Sequence, residues 1–244
     1  MDIRLHYKEA GQGFPLILLH GNGEDLTYFR RQIPVFAQVA HVFALDTRGH
    51  GQTPRGKAPF TLAQFAADLG AFMDEQGIEK ADLLGFSDGG NIALLFALKY
   101  PQRVRSLIIC GANLYPAGLD ASFRLACGIS YRALSLLEKA KPARQAPEKT
   151  RIKAGQKASR RELLGLMLKE PNIDPAALSQ LHMPVLVMAG THDMIKRRHT
   201  ELIASCIHGA KLIFIKGGHS LAAGRPEEFN RRVLRFMRSL SEFS

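Results

Sequence analysis

The sequence predicts an α/β fold in which a mainly parallel sheet is flanked by helices and interrupted once by a small helical insertion. Three observations lead there. Short apolar runs alternate with amphipathic stretches, the rhythm of strands buried on both faces and covered by helices. Hydrophobic residues are 46% and charged residues 23% of the 244, ordinary globular usage with enough apolar surface for one generous core. The strand rhythm stops only between Asn113 and Met183 and then resumes. Residues 1–114 and 176–244 are therefore expected to form one core, and residues 115–175 a helical lid.

Ile3 to Tyr7 alternates and then meets Gly11-Gln12-Gly13, which predicts an opening strand and a turn. Pro15 to Leu19 is a continuous apolar run, a buried strand that ends in His20-Gly21-Asn22-Gly23. Val42 to Leu45 predicts another, closed by Asp46 and the loop Thr47 to Gly51, which Asp46 and Arg48 are expected to brace. Thr61-Leu62-Ala63-Gln64 has the spacing of a capping box and opens a helix that runs to Gly77. Ala81 to Leu84 is the next strand, followed by Gly85-Phe86-Ser87-Asp88-Gly89-Gly90 and a helix through Lys99, with Pro101 beyond its end. Val104 to Cys110, Val185 to Ala189 and Leu212 to Ile215 are further strands, and Pro226 suits the first turn of a closing helix that reaches Leu240.

Within the insertion, Leu125, Ile129, Leu134 and Leu137 fall at helical spacing, as do Leu163, Leu164, Met167 and Leu168. A polar segment from Lys141 to Lys157, with Pro142 and Pro147, lies between the two stripes. An insertion of this kind reads as a lid over the C-terminal edge of the sheet, where open α/β sheets bind ligands.

Composition excludes several classes. No stretch approaches the ~18 apolar residues of a membrane helix, and Met1 to His6 lacks the apolar core of a signal peptide and the Ser-rich character of a transit peptide. A cytoplasmic protein without a membrane partner is expected. Cys110, Cys127 and Cys206 are far apart and show no CxxC pairing, which fits buried thiols rather than disulfides or a zinc site. The net charge is +11, and the excess is concentrated in residues 120–175 (12 basic, 6 acidic) and 196–238 (10 basic, 3 acidic). Both stretches read as helices with solvated faces. No aromatic–basic interleaving accompanies them, so no nucleic-acid partner is expected.

Gly85-Phe86-Ser87-Asp88-Gly89 matches G-x-S-x-G between a predicted strand and a predicted helix. Small residues are needed two positions either side of Ser87, because a sharp turn there brings strand and helix backbones together. A serine hydroxyl needs a base and an acid that orients the base. His219 follows the strand that ends at Ile215, and Asp193 follows the strand that ends at Ala189. The order Ser87, Asp193, His219 suits nucleophile, acid and base, each on a loop after a strand. The oxyanion donors are expected to be the backbone N–H of Asp88 and a second from the loop after Leu19, Asn22. The other histidines show no HxxxH or HExxH spacing, so solvated or core roles are expected for them and neither a metal nor a cofactor is called for.

His20-Gly21, Asp46-x-Arg48-Gly49-x-Gly51, the turn at Ser87, Gly190-x-x-Asp193 and Gly218-His219 together resemble the α/β-hydrolase superfamily over essentially the whole chain. Gly85 to Gly90, Lys99-Tyr100-Pro101 and Gly111-Ala112-Asn113 are similar to the valacyclovir hydrolase (biphenyl hydrolase-like) group. That resemblance implies hydrolysis of α-amino acid esters, with the acid after the nucleophile, here Asp88, holding the substrate ammonium. Relatives with an Asp or Cys nucleophile are set aside because Ser87 stands at that position. Asp88 has other roles open to it: a carboxylate beside an oxyanion hole opposes the developing charge, and the side chain would equally serve as a helix cap or loop brace.

The expected protein is thus a serine carboxylesterase that works through an acyl-enzyme on a small-molecule ester, as a monomer or homodimer. The alternatives are a C–C bond hydrolase of the same fold, or a small-ligand receptor on the hydrolase scaffold.

Overall fold

The computed structural model describes residues 2–140 and 157–241. Among them, seven strands form one sheet: β1 (Tyr7–Ala10), β2 (Pro15–Leu19), β3 (His41–Leu45), β4 (Ala81–Phe86), β5 (Val104–Cys110), β6 (Val185–Gly190) and β7 (Lys211–Ile215). Their spatial order is β1-β3-β2-β4-β5-β6-β7. All neighbours pair parallel except β1, which runs antiparallel to β3. The helices are α1 (Ile33–Phe36), α2 (Leu62–Glu75), α3 (Asp88–Lys99), α4 (Ala121–Ala140), α5 (Arg160–Lys169), α6 (Arg197–Cys206), α7 (Leu221–Gly224) and α8 (Pro226–Ser241).

The period-2 alternation of side chains divides the central strands between two cores. Ile17, Leu83, Leu107 and Val185 pack beneath α2, α3 and α6 with Phe65, Phe72, Phe96 and Ile203. Leu18, Leu84, Ile108 and Met188 pack on the other face with Phe36 of α1 and Phe229 and Val233 of α8. Because both faces are covered, the strands read as unbroken apolar runs, which is why their positions are visible in the sequence. The ends of β2, β3, β4, β5, β6 and β7 lie along one edge, and the loops that leave them carry the polar residues discussed below.

Two expectations of local structure need correction. The opening strand is Tyr7–Ala10 rather than Ile3 to Tyr7. Ile3 and Leu5 do point into the core, but the backbone at His6 bonds to Thr53 Oγ1 and to the Asp46 N–H, so a loop takes the hydrogen bonds a strand would have taken. Thr61 accepts from the Gln64 N–H as a cap, yet Gln64 turns away to donate to Asp68 Oδ1 at 3.0 Å, so the box stays half made. A full capping box forms at Ser159 and Glu162, at the start of α5. The helix expected from Leu125, Ile129, Leu134 and Leu137 is α4; Leu125, Ile129 and Leu137 are exposed, Leu134 is half-buried, and the ring of Tyr131 lies beside Gly165 of α5. The polar segment expected between the two stripes lies outside the described residues, except for Lys157.

Asp46 and Arg48 brace their loop separately, not as a pair. Asp46 accepts from the Leu26 and Gln52 N–H groups, both at 2.8 Å. The Arg48 side chain is fully enclosed and makes a bidentate pair with Asp68 of α2, both bonds 2.7 Å, and a third contact to Asp2. Removing one partner of such a pair strands a buried charge. Asp68→Ala is expected to cost about 3–5 kcal/mol of unfolding free energy in urea denaturation. Asp74→Ala, which breaks the exposed pair with Arg103, is expected to cost about 1 kcal/mol or less. Equal losses would contradict this account.

Candidate active site

Ser87 stands between β4 and α3 with φ 52° and ψ −120°, the one non-glycine among the described residues with positive φ. Backbone held there costs about 1–3 kcal/mol and is tolerated only where packing over-determines it. The packing is severe. A Cβ on Gly85 would lie 2.2 Å from the Gly89 carbonyl oxygen, and a Cβ on Gly89 would lie 2.0 Å from that of Leu19. Both positions therefore require glycine, and the spacing of the motif follows from it.

The structure brings together the three residues expected from chain order. Ser87 Oγ lies 3.0 Å from His219 Nε2, and His219 Nδ1 lies 2.6 Å from Asp193 Oδ1. Asp193 is held in turn by the N–H groups of Ile195 (2.9 Å) and Gly190 (3.3 Å). Its carboxylate accepts from the imidazole, so Nδ1 carries the proton and Nε2 is free to take one from the serine. Phe86 lies against the imidazole, ring centroids 4.8 Å apart, and Tyr28 stacks on Phe86 at 4.3 Å. The base is thereby fixed on one side by a carboxylate and on the other by an aromatic pair.

Asn22 sits in a turn closed by the Glu24 N–H on the Gly21 carbonyl at 3.2 Å, with Gly23 at φ 75°. Among the described residues the Asn22 N–H has no acceptor, and Asp88 begins α3, where backbone N–H groups have no helical partner. Both groups belong to the C-terminal edge beside Ser87, as an oxyanion pocket requires. The side chains of these two residues bond to each other: Asn22 Nδ2 donates to Asp88 Oδ2 at 2.9 Å and to the Leu163 carbonyl of α5 at 3.0 Å. Asn91 Nδ2 donates to the other Asp88 oxygen at 3.2 Å and to Asn113. Asp88 is buried and makes no ion pair among the described residues. Burial pushes its carboxyl up, against the Asn22 and Asn91 amides and the His219 imidazole, which favour the ionised form; nearby Glu170 adds to the rise. The carboxylate caps no backbone N–H of α3, so the cap role is not what the side chain does here.

Three buried histidines hold the loops around this edge, and pattern reading had no means to assign them such work. The Thr47 N–H donates to His20 Nε2 at 3.0 Å, which leaves Nδ1–H to donate to the Gly21 carbonyl at 2.7 Å. The Gly23 N–H donates to His50 Nε2 at 3.1 Å, and Nδ1 faces the Arg48 carbonyl at 3.0 Å. The Leu114 N–H donates to His199 Nε2 at 2.8 Å. Each accepts from a main-chain N–H and therefore serves only in its neutral form. Burial holds His20 below the usual imidazole range. It lowers His50 to about 4, with His20 beside it, and His199 to about 4, with Lys196 and Arg198 nearby.

Comparison with known proteins agrees with this fold. The model of the alpha/beta hydrolase fold matches residues 15–126. The mouse serine hydrolase BPHL is 28% identical over 249 residues, covering 96% of this chain and 83% of the relative. The 2-hydroxymuconate semialdehyde hydrolase of Pseudomonas sp. (strain CF600) is 36% identical over 127 residues, covering 49% of this chain and 45% of the relative. Local identity of this kind covers little: the chain spans 29% to 45% of the length of four curated relatives that are 32% to 42% identical to it. Among solved structures, a thermophilic esterase from Thermogutta terrifontis superposes with a TM-score of 0.76 at 25% identity, covering 98% of this chain and 94% of that one. The fold is that of the α/β hydrolases, and the likeness to the biphenyl hydrolase-like group runs over nearly the full chain.

The neutral histidines set a pH dependence of stability. A group whose folded pKa is depressed stabilises fully above its unfolded value, about 6.5 for imidazole, and that contribution is lost as pH falls through the folded value. For His50 the window runs from 6.5 down to about 4. The pH-dependent part is on the order of 3 kcal/mol. Thermal melting across that window is expected to fall steeply for the wild type and less steeply for His50→Asn, which removes the titrating ring. Parallel curves would contradict the assignment.

Proposed function

We propose that the protein is a serine hydrolase of carboxylic esters, acting through an acyl-enzyme. The observation that carries the reading is the unbroken relay from Asp193 through His219 to Ser87 Oγ, with distances of 2.6 and 3.0 Å, at a turn that exposes the hydroxyl. Ser87 Oγ attacks the ester carbonyl while its proton passes to His219 Nε2. Asp193 keeps the ring in the required tautomer and stabilises the imidazolium. The carbonyl oxygen becomes an oxyanion held by the N–H groups of Asn22 and Asp88. The imidazolium then protonates the leaving alcohol, and in the second half His219 deprotonates a water that releases the acid. Helices α4 and α5 act as the lid, and the Asn22 contact to Leu163 ties the oxyanion turn to it.

The finer reading is an α-amino ester substrate. Asp88 is a buried carboxyl with two amide donors and, among the described residues, no ion pair, next to the nucleophile. A substrate ammonium supplies the missing counter-charge and restores the ionised form that burial disfavours. The resemblance of Gly85 to Gly90 to the valacyclovir hydrolase group implies the same class, and the likeness to the serine hydrolase BPHL is consistent with it. A second reading keeps the same residues but cleaves a C–C bond in a vinylogous diketone acid, favoured by the local 36% identity to the 2-hydroxymuconate semialdehyde hydrolase. An anionic substrate has no counter-charge at Asp88, so the ester reading accounts for more of the site.

The test is kcat/KM on an α-amino acid ester and its des-amino analogue. Ser87→Ala is expected to abolish turnover of both. Asp88→Asn is expected to lower kcat/KM on the amino ester more than 10-fold, roughly 1.4 kcal/mol, and to leave the neutral ester within about 2-fold. Equal losses on the two substrates would remove the ammonium role. Turnover of the diketone acid alone would move the reading to the C–C hydrolase.

A further inference from the structure

Glu24 follows the oxyanion turn and is absent from every motif read in the sequence. Its Oε2 accepts from the Gly21 N–H at 3.1 Å, and its own N–H closes the turn on the Gly21 carbonyl at 3.2 Å. The residue therefore grips the turn from both ends, with Asn22 and Gly23 between. The grip is tight: a Cβ on Gly21 would lie 3.1 Å from Oε2 and 3.0 Å from the Phe86 ring that lies against His219. The charged and titratable groups that face the Glu24 carboxyl are the His219 imidazole, Asp25 beside it in the chain, and the Tyr28 phenol. The side chain makes no ion pair with Lys or Arg among the described residues.

We propose that Glu24 is a positioning residue of the hydrolytic site: its carboxylate clamps the turn that presents the Asn22 N–H and supplies a second negative charge to the imidazolium that forms at His219. The proposal rests on the serine-hydrolase reading above. Asp193 orients the ring through Nδ1, whereas Glu24 has no hydrogen bond to His219 and acts through space and through the turn. Burial raises its carboxyl to about 6, so its charge is present at neutral pH and lost in mild acid. Above that range the clamp acts as a carboxylate accepting an N–H, the stronger kind of bond. Below it the acceptor weakens and the imidazolium loses one of its two anions. Both effects act on the transition state rather than on substrate binding.

Two variants separate the effects. Glu24→Gln keeps a carbonyl oxygen for the Gly21 N–H and removes the charge; Glu24→Ala removes both. On the best ester at pH 8, Glu24→Gln is expected to lower kcat about 3- to 10-fold with KM within about 2-fold, and Glu24→Ala to lower it further. Between pH 5 and 7 the acid limb of kcat/KM should be shallower in Glu24→Gln than in the wild type, because one titrating group is gone. A variant that merely folds poorly would lose amplitude at every pH and leave the shape of the limb unchanged. Labelling of Ser87 by a fluorophosphonate provides a readout that does not depend on the ester chosen. Slower labelling of Glu24→Gln, with the same change of pH shape, supports the proposal. Labelling and kcat at the wild-type rate with an unchanged pH profile would overturn it. Failure of the wild type to label, with Ser87→Ala as control, would overturn the serine-hydrolase reading and the proposal with it.

Discussion

The contact between β4, α3 and β2 at the serine turn is the constraint on which the rest of the site depends. Ser87 occupies a backbone conformation that no free chain would hold, and it does so because Gly85, Gly89 and the Leu19 carbonyl leave no room for relaxation. The energy for this comes from two large apolar cores, one on each face of the sheet. Strand β4 is buried throughout and paired on both sides, by β2 and β5, so it has nowhere to shift. The same closeness brings the end of β2 beside the first turn of α3. An oxyanion pocket made from one N–H after each of these elements is then a consequence of the packing.

Electrostatics around that turn follows a single rule: groups that water would ionise are kept neutral or are given one partner. His20, His50 and His199 are enclosed and accept main-chain N–H bonds, so protonation would convert three acceptors into donors facing donors. Asp193 is the contrast. It is also enclosed, but two backbone N–H groups and the imidazole supply the partners that keep a buried carboxylate in place. Negative charge is therefore kept beside the base.

Sequence order alone made Ser87, Asp193 and His219 legible, because each stands on a loop after an apolar strand and strands buried on both faces are easy to see. The central strands were legible within one or two residues for the same reason. Elsewhere the decisive partner was remote. Nothing near His6 indicates that its backbone bonds to Thr53 and Asp46 instead of to a strand. Helical spacing of Leu125 and Ile129 announces a helix but not which face meets α5. Glu24 lies three residues after Gly21, a separation common to any turn, and only the placement of His219 and Phe86 gives it a role. Asp46 and Arg48 read in sequence as braces of one loop, while in space Arg48 pairs with Asp68, a residue whose helix brings it from 20 positions away.

Two carboxyls, Asp88 and Glu24, stand beside a pocket in which negative charge develops, and both are raised by burial. A fixed anion at about 4 Å from an oxyanion opposes it by 1–4 kcal/mol, depending on the local dielectric, so such groups are tolerable only if uncharged or matched. Glu24 is matched by the imidazolium, which gains its positive charge at the moment the oxyanion gains its negative one. Asp88 also feels the His219 imidazole, but among the described residues it makes no ion pair, and its hydrogen bonds come from the amides of Asn22 and Asn91. Burial disfavours the ionised form of this carboxyl, and on the proposed reading an ammonium in the acyl group would favour it and offset its field on the oxyanion. On the same reading the discriminating carboxyl belongs to the residue whose N–H would serve the oxyanion, so the charge match and the reacting carbonyl would be fixed by one turn of α3.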